Sequence, residues 1–230
     1  MSVLIPSATV VLLRENNNQL EVLLLKRNSK IAYGGMWVFP GGKIDVEDYA
    51  SKGEPKPTEP LDTDMLVAAR CAAKRETQEE AGIDIMQDQL LYLSHWTTPE
   101  IRPKRFSTWF FVAPTTSDEV EIDGGEIHEH CWRNPADAIN AHLEGEIELA
   151  PPTYLTLRSL STFSHVKSVV THFGDLPPEV FVPRVELLDD GLCYFYHGDA
   201  GYEDADHRVE GARHRLYARK GRQWTYEVSE

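Results

Sequence analysis

The sequence has few cysteines and no long apolar run. Cys71, Cys131 and Cys193 are far apart and form no CxxC pair. We therefore expect neither a disulfide framework nor a zinc ribbon, and we expect a reducing compartment. No apolar stretch approaches membrane-spanning length, and the N-terminus lacks the basic start and long apolar core of a signal peptide. These absences predict a soluble, cytoplasmic protein with no membrane partner.

Positive charge is also scarce. The 230 residues include 23 lysines and arginines against 37 aspartates and glutamates, which gives a formal net charge of -14. A general nucleic-acid binder would show a basic surface, so we expect no nucleic-acid partner. A small anionic substrate is compatible with this charge, because a bound metal ion can supply positive charge locally. The hydrophobic content of 41% is that of an ordinary globular protein rather than a disordered one.

Most of the strand signals lie in the first 135 residues. β-branched and leucine-rich runs at 8–14 and 20–26 flank the turn-forming ENNNQ and predict a hairpin. LLYLSHWTTPE and RFSTWFFVAPT predict two further strands around a basic connection, and HEHCW predicts a short one. A zinc site at HEHC is not favoured, because neighbouring residues of a strand point to opposite faces.

A long loop and then a long helix are predicted between these strands. Residues 48–64 are rich in proline, lysine and acidic residues and poor in apolar ones, which indicates an exposed, poorly ordered loop. The helix should begin near Thr63 or Asp64, either of which can cap it. Gly82 is well placed to be its C′ residue.

The C-terminal part changes from helices to strands. NPADAINAHLEG predicts a helix with Asn134 as its N-cap, and a second helix begins near PPTYLTLRSL. Further on, Asp190-Gly191 and Lys220-Gly221 mark tight turns between strands. We therefore predict a mixed domain over 1–176 and a small β extension over 177–230, which is also a candidate homodimer interface.

Three glutamates share one face near the end of the long helix. Glu76, Glu79 and Glu80 stand at i, i+3 and i+4, where their carboxylates repel each other. The negative end of the helix dipole adds to this repulsion. A solvated charged face balanced by Lys74 and Arg75 is the simpler interpretation. A hard divalent cation would also resolve the repulsion, since Mg²⁺ and Mn²⁺ prefer carboxylate oxygens.

The same residues carry a family resemblance. RETQEEAGI at 75–83, behind FPGGK, resembles the Nudix box of the Nudix hydrolases. The resemblance implies an α+β fold, an α/β/α sandwich with a mixed sheet. It also implies hydrolysis of pyrophosphate linkages in nucleoside diphosphate derivatives with Mg²⁺ or Mn²⁺. The early glutamate of the box falls on Asp48 when counted from Gly42 and on Val67 when counted back from Arg75.

The insertion inside the box, at about 48–63, is similar to one branch of the family, which includes coenzyme A diphosphatases. LLLKR, MWVFPGGKID, TPEIRPKRFSTWFF and LAPPTYLTLRSL also resemble that branch. The first expected substrate is coenzyme A or acyl-coenzyme A. ADP-ribose, NADH and dinucleoside polyphosphates are alternatives, as is a nucleotide sensor without catalysis. The inserted loop would partly cover the site.

The resemblance assigns the residues of the box. Glu76, Glu79 and Glu80 would be metal ligands, the Gly41 carbonyl a further ligand, and Arg75 would hold a glutamate in place. These residues, together with a late loop glutamate, would be the catalytic group.

The late glutamate is Glu126, with Glu129 as the alternative. Trp37 and Trp96 could stack on a base or pack in the core. The expected substrate-binding residues are basic, and Arg105 is the one expected to read the ribose 3′-phosphate of coenzyme A. They are Arg27, Arg102, Lys104 and Arg105.

Overall fold

The structure is a computed structural model, and it describes residues 3–29, 34–49 and 62–229. Its strands are β1 (Leu4–Asn16), β2 (Gln19–Arg27), β3 (Trp37–Val38), β4 (Gly41–Lys43), β5 (Leu91–Thr97), β6 (Arg105–Pro114), β7 (Ile127–Arg133), β8 (Glu179–Phe181), β9 (Arg184–Leu188), β10 (Gly191–Phe195), β11 (His214–Arg219) and β12 (Trp224–Val228). Its α-helices are α1 (Asp62–Ala81), α2 (Pro135–Glu144), α3 (Pro151–Leu160) and α4 (Val166–Gly174).

The predicted N-terminal hairpin is present. β1 and β2 pair antiparallel, with Asn16 opposite Gln19. The two intervening residues, Asn17 and Asn18, have φ of 50° and 60°. Asparagine tolerates this left-handed region and forms the two-residue turn whose twist matches that of the strands.

Eight strands form one mixed sheet with the order β3-β2-β1-β6-β5-β8, in which β4 also pairs with β1 and β7 with β2. The β1–β6 and β5–β8 pairs are parallel, and the others are antiparallel. Alternate residues of β1 face opposite cores: Val10 and Leu12 pack toward α1, whereas Val11 and Leu13 pack toward α2, α3 and α4. The result is the α/β/α sandwich that the box resemblance implied.

Helix α1 lies close to the sheet because its buried stripe is made of small side chains. Thr77 belongs to the same stripe, and its hydroxyl is satisfied by the Ala73 carbonyl at 2.7 Å. Gly82 follows the helix at φ 69°, as predicted, and its N–H donates to Gln78 O. The helix begins at Asp62, one or two residues before the predicted start, so Thr63 and Asp64 lie inside it and the prediction that one of them caps it is wrong. The buried alanines are Ala68, Ala69, Ala72 and Ala73.

The C-terminal strands form a second sheet with the order β12-β11-β10-β9. It shares a core with the first sheet, since Tyr194 and Leu216 belong to the same buried cluster as Trp96 and Phe181. Strand β8 pairs with β5 and so belongs to the first sheet, although the predicted boundary lies before it. The division into two domains at 176/177 stays a prediction. Helix α4 was not predicted, because its start has neither a capping side chain nor the prolines that mark the start of α3.

Part of the inserted loop and the question of a membrane span remain to be described. Residues 50–61, most of the predicted inserted loop, lie outside the described residues. Within the described ranges, none of the helices is long and apolar enough to cross a membrane.

Candidate active site

A cavity of about 560 Å³ lies on the face of the first sheet that also carries α3. Its floor follows one row of paired residues across four strands. Ser7 of β1 is opposite Lys43 of β4 and Thr108 of β6, and Thr108 is opposite Trp96 of β5. All four residues line the cavity. The sheet register therefore fixes a continuous floor that extends from the predicted box to the other side of the sheet.

Several elements wall this floor. The start of α3 contributes residues 150–153, and the β5–β6 loop contributes Arg102 and Lys104. The second sheet also reaches the cavity, through Pro183, Tyr194 and Tyr196. No pattern in the sequence predicted this third wall. The alternation in the segment 194–196 indicates that the two tyrosines share a face, but not what that face contacts.

The glycines of FPGGK bring β4 against the helix that carries the predicted carboxylates. A Cβ on Gly42 would lie 2.4 Å from the Glu76 carboxylate, and one on Gly41 would lie 2.4 Å from Ala8 O. The Gly41 N–H donates to Glu80 Oε2 at 2.8 Å. Any side chain at Gly42 would displace Glu76 from the edge of the cavity.

Arg75 is the centre of the charge network beside the cavity. Its Nη2 donates to Asp48 Oδ2 at 2.9 Å, and its Nη1 donates to Glu76 Oε1 at 2.8 Å and Glu79 Oε2 at 3.2 Å. Asp48 and Glu76 raise the pKa of Arg75, with the Asp48 contact as the largest cause. The structure thus brings together Arg75 and two of the predicted metal ligands.

Asp48, one of the two candidates for the place of the early glutamate, belongs to the same network. Asp48 is 6% exposed, and its Oδ2 also accepts from the Asp45 N–H at 2.8 Å. A short 3₁₀ turn, Val46–Tyr49, directs Asp48 toward Arg75. Val67 is 51% exposed on the outer side of α1. Asp48, the position found by counting forward from Gly42, therefore contacts Arg75. Val67, the position found by counting back from Arg75, faces away.

Of the three box glutamates, Glu80 is buried, whereas Glu76 is partly buried and contacts Arg75. Burial raises the pKa of Glu80 to about 7, with repulsion from Glu76 and Glu126 adding to it, while the Gly41 N–H and Arg27 oppose the shift. Burial likewise raises the pKa of Glu76 against the opposing effect of Arg75. Glu79 is 59% exposed. Buried carboxylates short of positive charge are the oxygen donor set that a hard divalent cation takes, so these residues fit Mg²⁺ or Mn²⁺.

The three carboxylates are not gathered around one point. Within the described part of the chain, one trio of ligand atoms lies within 4.8 Å of one another, and it belongs to the second sheet rather than to the box. In the box, Arg75 holds Glu76 and Glu79, while the Gly41 N–H holds Glu80. The trio of the second sheet comprises Glu186, Asp206 and His207.

The two candidates for the late glutamate have different surroundings. Glu126 lines the cavity and pairs with Arg27, its Oε2 lying 2.8 Å from Nη2. Glu129 does not line the cavity and pairs with Lys26 at 2.7 Å. Arg27 lines the cavity too, and its buried Nε has no hydrogen-bond partner in the described part of the chain. The geometry favours Glu126 over Glu129.

The predicted substrate-binding residues divide into two groups. Arg27, Arg102 and Lys104 line the cavity, whereas Arg105 does not. The Arg105 side chain is buried, and its Nε donates to Thr98 O at 3.0 Å, where it fixes the β5–β6 loop. Trp96 lines the cavity and packs in the core at the same time.

The comparisons with known proteins agree with this geometry. Residues 66–154 match the family model of the NUDIX domain. The chain is similar to a protein of Xenopus laevis named acyl-coenzyme A diphosphatase NUDT19, with 24% identity covering 84% of this chain and 74% of that protein. The protein of the same name from Gallus gallus is 30% identical to this chain. The match covers 51% of this chain and about a third (34%) of that relative.

Solved structures show the same fold. A NUDIX hydrolase from Alicyclobacillus acidocaldarius superposes with a TM-score of 0.63 at 23% identity, over 74% of this chain and 97% of that one. The NUDIX domain of Shewanella oneidensis NrtR, solved with ADP ribose, gives a TM-score of 0.50 at 17% identity, over 69% of this chain and 86% of that one. The predicted α+β fold is confirmed, and residues 66–154 are similar to the NUDIX domain.

Proposed function

We propose that this protein is a metal-dependent hydrolase of pyrophosphate linkages in nucleoside diphosphate derivatives, with coenzyme A or acyl-coenzyme A as the first substrate to test. The observation that carries the proposal is the composition of one cavity. Glu76 and Glu126 line it together with the basic side chains of Arg27, Arg102 and Lys104. Acidic groups for a cation and basic groups for phosphates are what a pyrophosphate substrate requires.

The box carboxylates would hold the metal. Glu76, Glu79 and Glu80 are the proposed ligands, with the Gly41 carbonyl as a further one. When bound, Mg²⁺ or Mn²⁺ supplies neutralisation of the pyrophosphate charge and acidifies water for the attack on phosphorus. Arg75 positions Glu76 and Glu79 through the contacts described above, and the NUDIX relatives generally use divalent metals of this kind.

The remaining side chains of the cavity would bind and orient the substrate. Arg27 lies between Glu126, which it contacts, and Glu80, whose raised pKa it opposes. The guanidinium of Arg27, which lines the cavity, would donate to a phosphate oxygen. Glu126 is the proposed late glutamate that completes the catalytic group. Arg102 and Lys104 would bind a further phosphate, which coenzyme A carries on its ribose.

Substrate choice within this class rests on the names of the relatives. Two of them are named acyl-coenzyme A diphosphatase, which supports coenzyme A or its thioesters. ADP-ribose, NADH and dinucleoside polyphosphates share the same pyrophosphate and belong in the same test. The intact Glu76, Glu79 and Glu80 argue against a sensor that binds a nucleotide without cleaving it, because such a protein need not keep metal ligands.

The test is hydrolysis of this panel with Mg²⁺ or Mn²⁺, followed by Glu80→Gln on the best substrate. Loss of a ligand to the ion removes several kcal/mol of transition-state stabilisation, so kcat should fall by at least about a hundredfold. Glu144→Gln, an exposed change on α2, should leave kcat within about twofold.

Retention of most activity by Glu80→Gln would overturn the assignment of the box. Tight binding of a panel member without its cleavage would favour the sensor instead.

A further inference from the structure

The start of α3 is an uncapped helix end that faces the cavity. Residues 150–153 line the cavity, and the N-cap residue is Ala150, whose side chain cannot accept a hydrogen bond. The first turn also contains no acidic residue. The start of α2, which does not line the cavity, is capped instead by the Asn134 side chain, which accepts from the Ala136 N–H at 2.9 Å. The first N–H groups of a helix need partners from outside it, so those of α3 are available to a ligand.

Two prolines leave a single free N–H in the first turn of α3. Pro151 and Pro152 occupy its first two positions and have no N–H. The Tyr154 N–H already donates to Ala150 O at 2.9 Å. The N–H of Thr153 has no acceptor among the described residues. The positive end of this ten-residue helix therefore presents one backbone donor.

The side chain of Thr153 supplies a second donor at the same place. The residue is 5% exposed, and its hydroxyl has no hydrogen-bond partner in the described part of the chain. The oxygen is not one of the fully buried unpaired atoms there, so it keeps some accessible surface. Helical side chains lean toward the N-terminus of their helix, which directs this hydroxyl toward the turn that lines the cavity.

The start of α3 is attached to the strand that leads into the box. The Trp37 N–H donates to Glu148 O at 2.8 Å, and Trp37 forms a parallel bridge with Leu149. Trp37 begins β3, which is followed closely by Gly41 and Gly42 of β4. The pairing with β3 therefore fixes the position of the helix start in the cavity wall.

We propose that the start of α3 is a phosphate-binding element, in which the hydroxyl and the N–H of Thr153 donate to a phosphate oxygen of the substrate. This inference rests on the proposed function. Donors at the positive end of a helix favour an anion over a neutral group. The cations Arg27, Arg102 and Lys104 line the same cavity. The phosphate belongs either to the pyrophosphate or to the ribose of coenzyme A, and the two sources are separable by experiment.

The experiment compares Thr153→Val and Thr153→Ser with wild type by calorimetric titration in EDTA, which prevents metal-dependent turnover. Valine keeps the branched shape and removes the hydroxyl, whereas serine keeps the hydroxyl. Loss of a hydrogen bond to a charged group should weaken binding about tenfold or more in Thr153→Val. Thr153→Ser should stay within about threefold of wild type.

Four probes locate the contact. Coenzyme A, dephospho-coenzyme A and ADP-ribose share the pyrophosphate, and only coenzyme A has the ribose 3′-phosphate. Weakening of all three in Thr153→Val assigns the hydroxyl to the pyrophosphate, and weakening of coenzyme A alone assigns it to the 3′-phosphate. Adenosine, which has no phosphate, should bind the variant and wild type alike.

The matched control is Thr156→Val, one turn further along the same helix. Thr156 is also 5% exposed, but it does not line the cavity. This variant should bind every probe as wild type does. The melting temperature of the free protein supplies a second readout. Because the Thr153 hydroxyl has no partner there, Thr153→Val should stay within about 2 °C of wild type, whereas a structural hydroxyl would lower the value further.

Unchanged affinity of Thr153→Val for all three phosphate-containing probes would overturn the proposal. So would equal weakening in Thr153→Ser or Thr156→Val, weaker binding of adenosine, or a loss confined to the two probes with a pantetheine arm. Failure of wild type to bind any probe would overturn the proposal together with the substrate class. Binding without hydrolysis in Mg²⁺ or Mn²⁺ would overturn the proposed enzyme and leave the role of Thr153 to be decided by the titrations.

Discussion

Two arginines lie among carboxylates, Arg215 in the second sheet and Arg75 on α1 beside the cavity, and their surroundings differ in charge balance. In the second sheet, Arg215 meets a single carboxylate, Asp199, through Nε at 2.8 Å and Nη2 at 2.6 Å. Both side chains are 0% exposed. Asp199 also accepts from the N–H groups of Gly201 and His214 at 2.7 Å each. Every oxygen of this carboxylate is satisfied, and the charges cancel.

Beside the cavity, one arginine serves several acids. Arg75 contacts Asp48, Glu76 and Glu79, and the one direct partner of Glu80 among the described residues is a backbone N–H. Within the described part of the chain, these four acids thus share one arginine, although Asp48 and Glu80 are buried. The balanced pair is expected to stabilise structure, whereas the unbalanced group is the one that can bind a cation.

The largest expected effect is on the balanced pair. Asp199→Asn leaves the buried Arg215 guanidinium without a counter-charge, so the free energy of unfolding should fall by about 3–5 kcal/mol. Chemical denaturation measures this. Glu203→Gln, which breaks the exposed pair with Arg184 in the same region, should change it by less than about 1 kcal/mol. Equal effects of the two changes would remove the distinction drawn between a buried and a surface pair.

The next effect is on the unbalanced group and has the opposite sign. The folded-state pKa of Glu80, about 7, lies above its ordinary value, so ionised Glu80 destabilises the metal-free fold. This penalty is absent below about pH 4.5, grows as pH rises, and is complete above pH 7. Glu80→Gln should therefore stabilise the protein in EDTA by about 3 kcal/mol at pH 8.

Denaturation curves of Glu80→Gln and wild type at pH 8 and pH 5 test this sign. The gain should shrink strongly at pH 5, and added Mg²⁺ should stabilise wild type more than the variant. A gain that is the same at both pH values would show that ionisation of Glu80 is not its cause. Glu144→Gln is the control that should show no pH-dependent gain.

Local signals in the sequence predicted much of the fold. The Asn134 side chain caps α2 by accepting from the Ala136 N–H at 2.9 Å, and Gly82 ends α1 as expected. Helix α1 and the N-terminal hairpin also depend on contacts between residues close in sequence, so their patterns are readable without the structure.

The sequence did not predict which residues far apart in the chain contact each other. Asp48 and Arg75 are 27 residues apart. It is the folded 3₁₀ turn that brings Asp48, and not Val67, into contact with Arg75. Tyr196 approaches Trp96 from a separate sheet, a contact that no local pattern encodes. Arg105 carries the right charge for phosphate binding, yet its position at the first residue of β6 turns the guanidinium to the Thr98 carbonyl.

The smallest effect concerns the cations that complement the acidic group. Arg102 and Lys104 line the cavity, and neither has a carboxylate within 4.0 Å in the part of the chain that the structure describes. A charge-assisted contact from one of them to the ribose 3′-phosphate would contribute on the order of 1.5–3 kcal/mol. Arg102→Ala should then weaken coenzyme A roughly ten- to a hundredfold and dephospho-coenzyme A little. KM values for the two compounds provide the comparison.

Arg105→Ala is the contrasting variant. Because the guanidinium of Arg105 donates to a backbone carbonyl, its loss should lower stability and affect both compounds alike. Selective loss of coenzyme A in Arg105→Ala, with none in Arg102→Ala, would instead assign the phosphate to Arg105, as the sequence alone suggested.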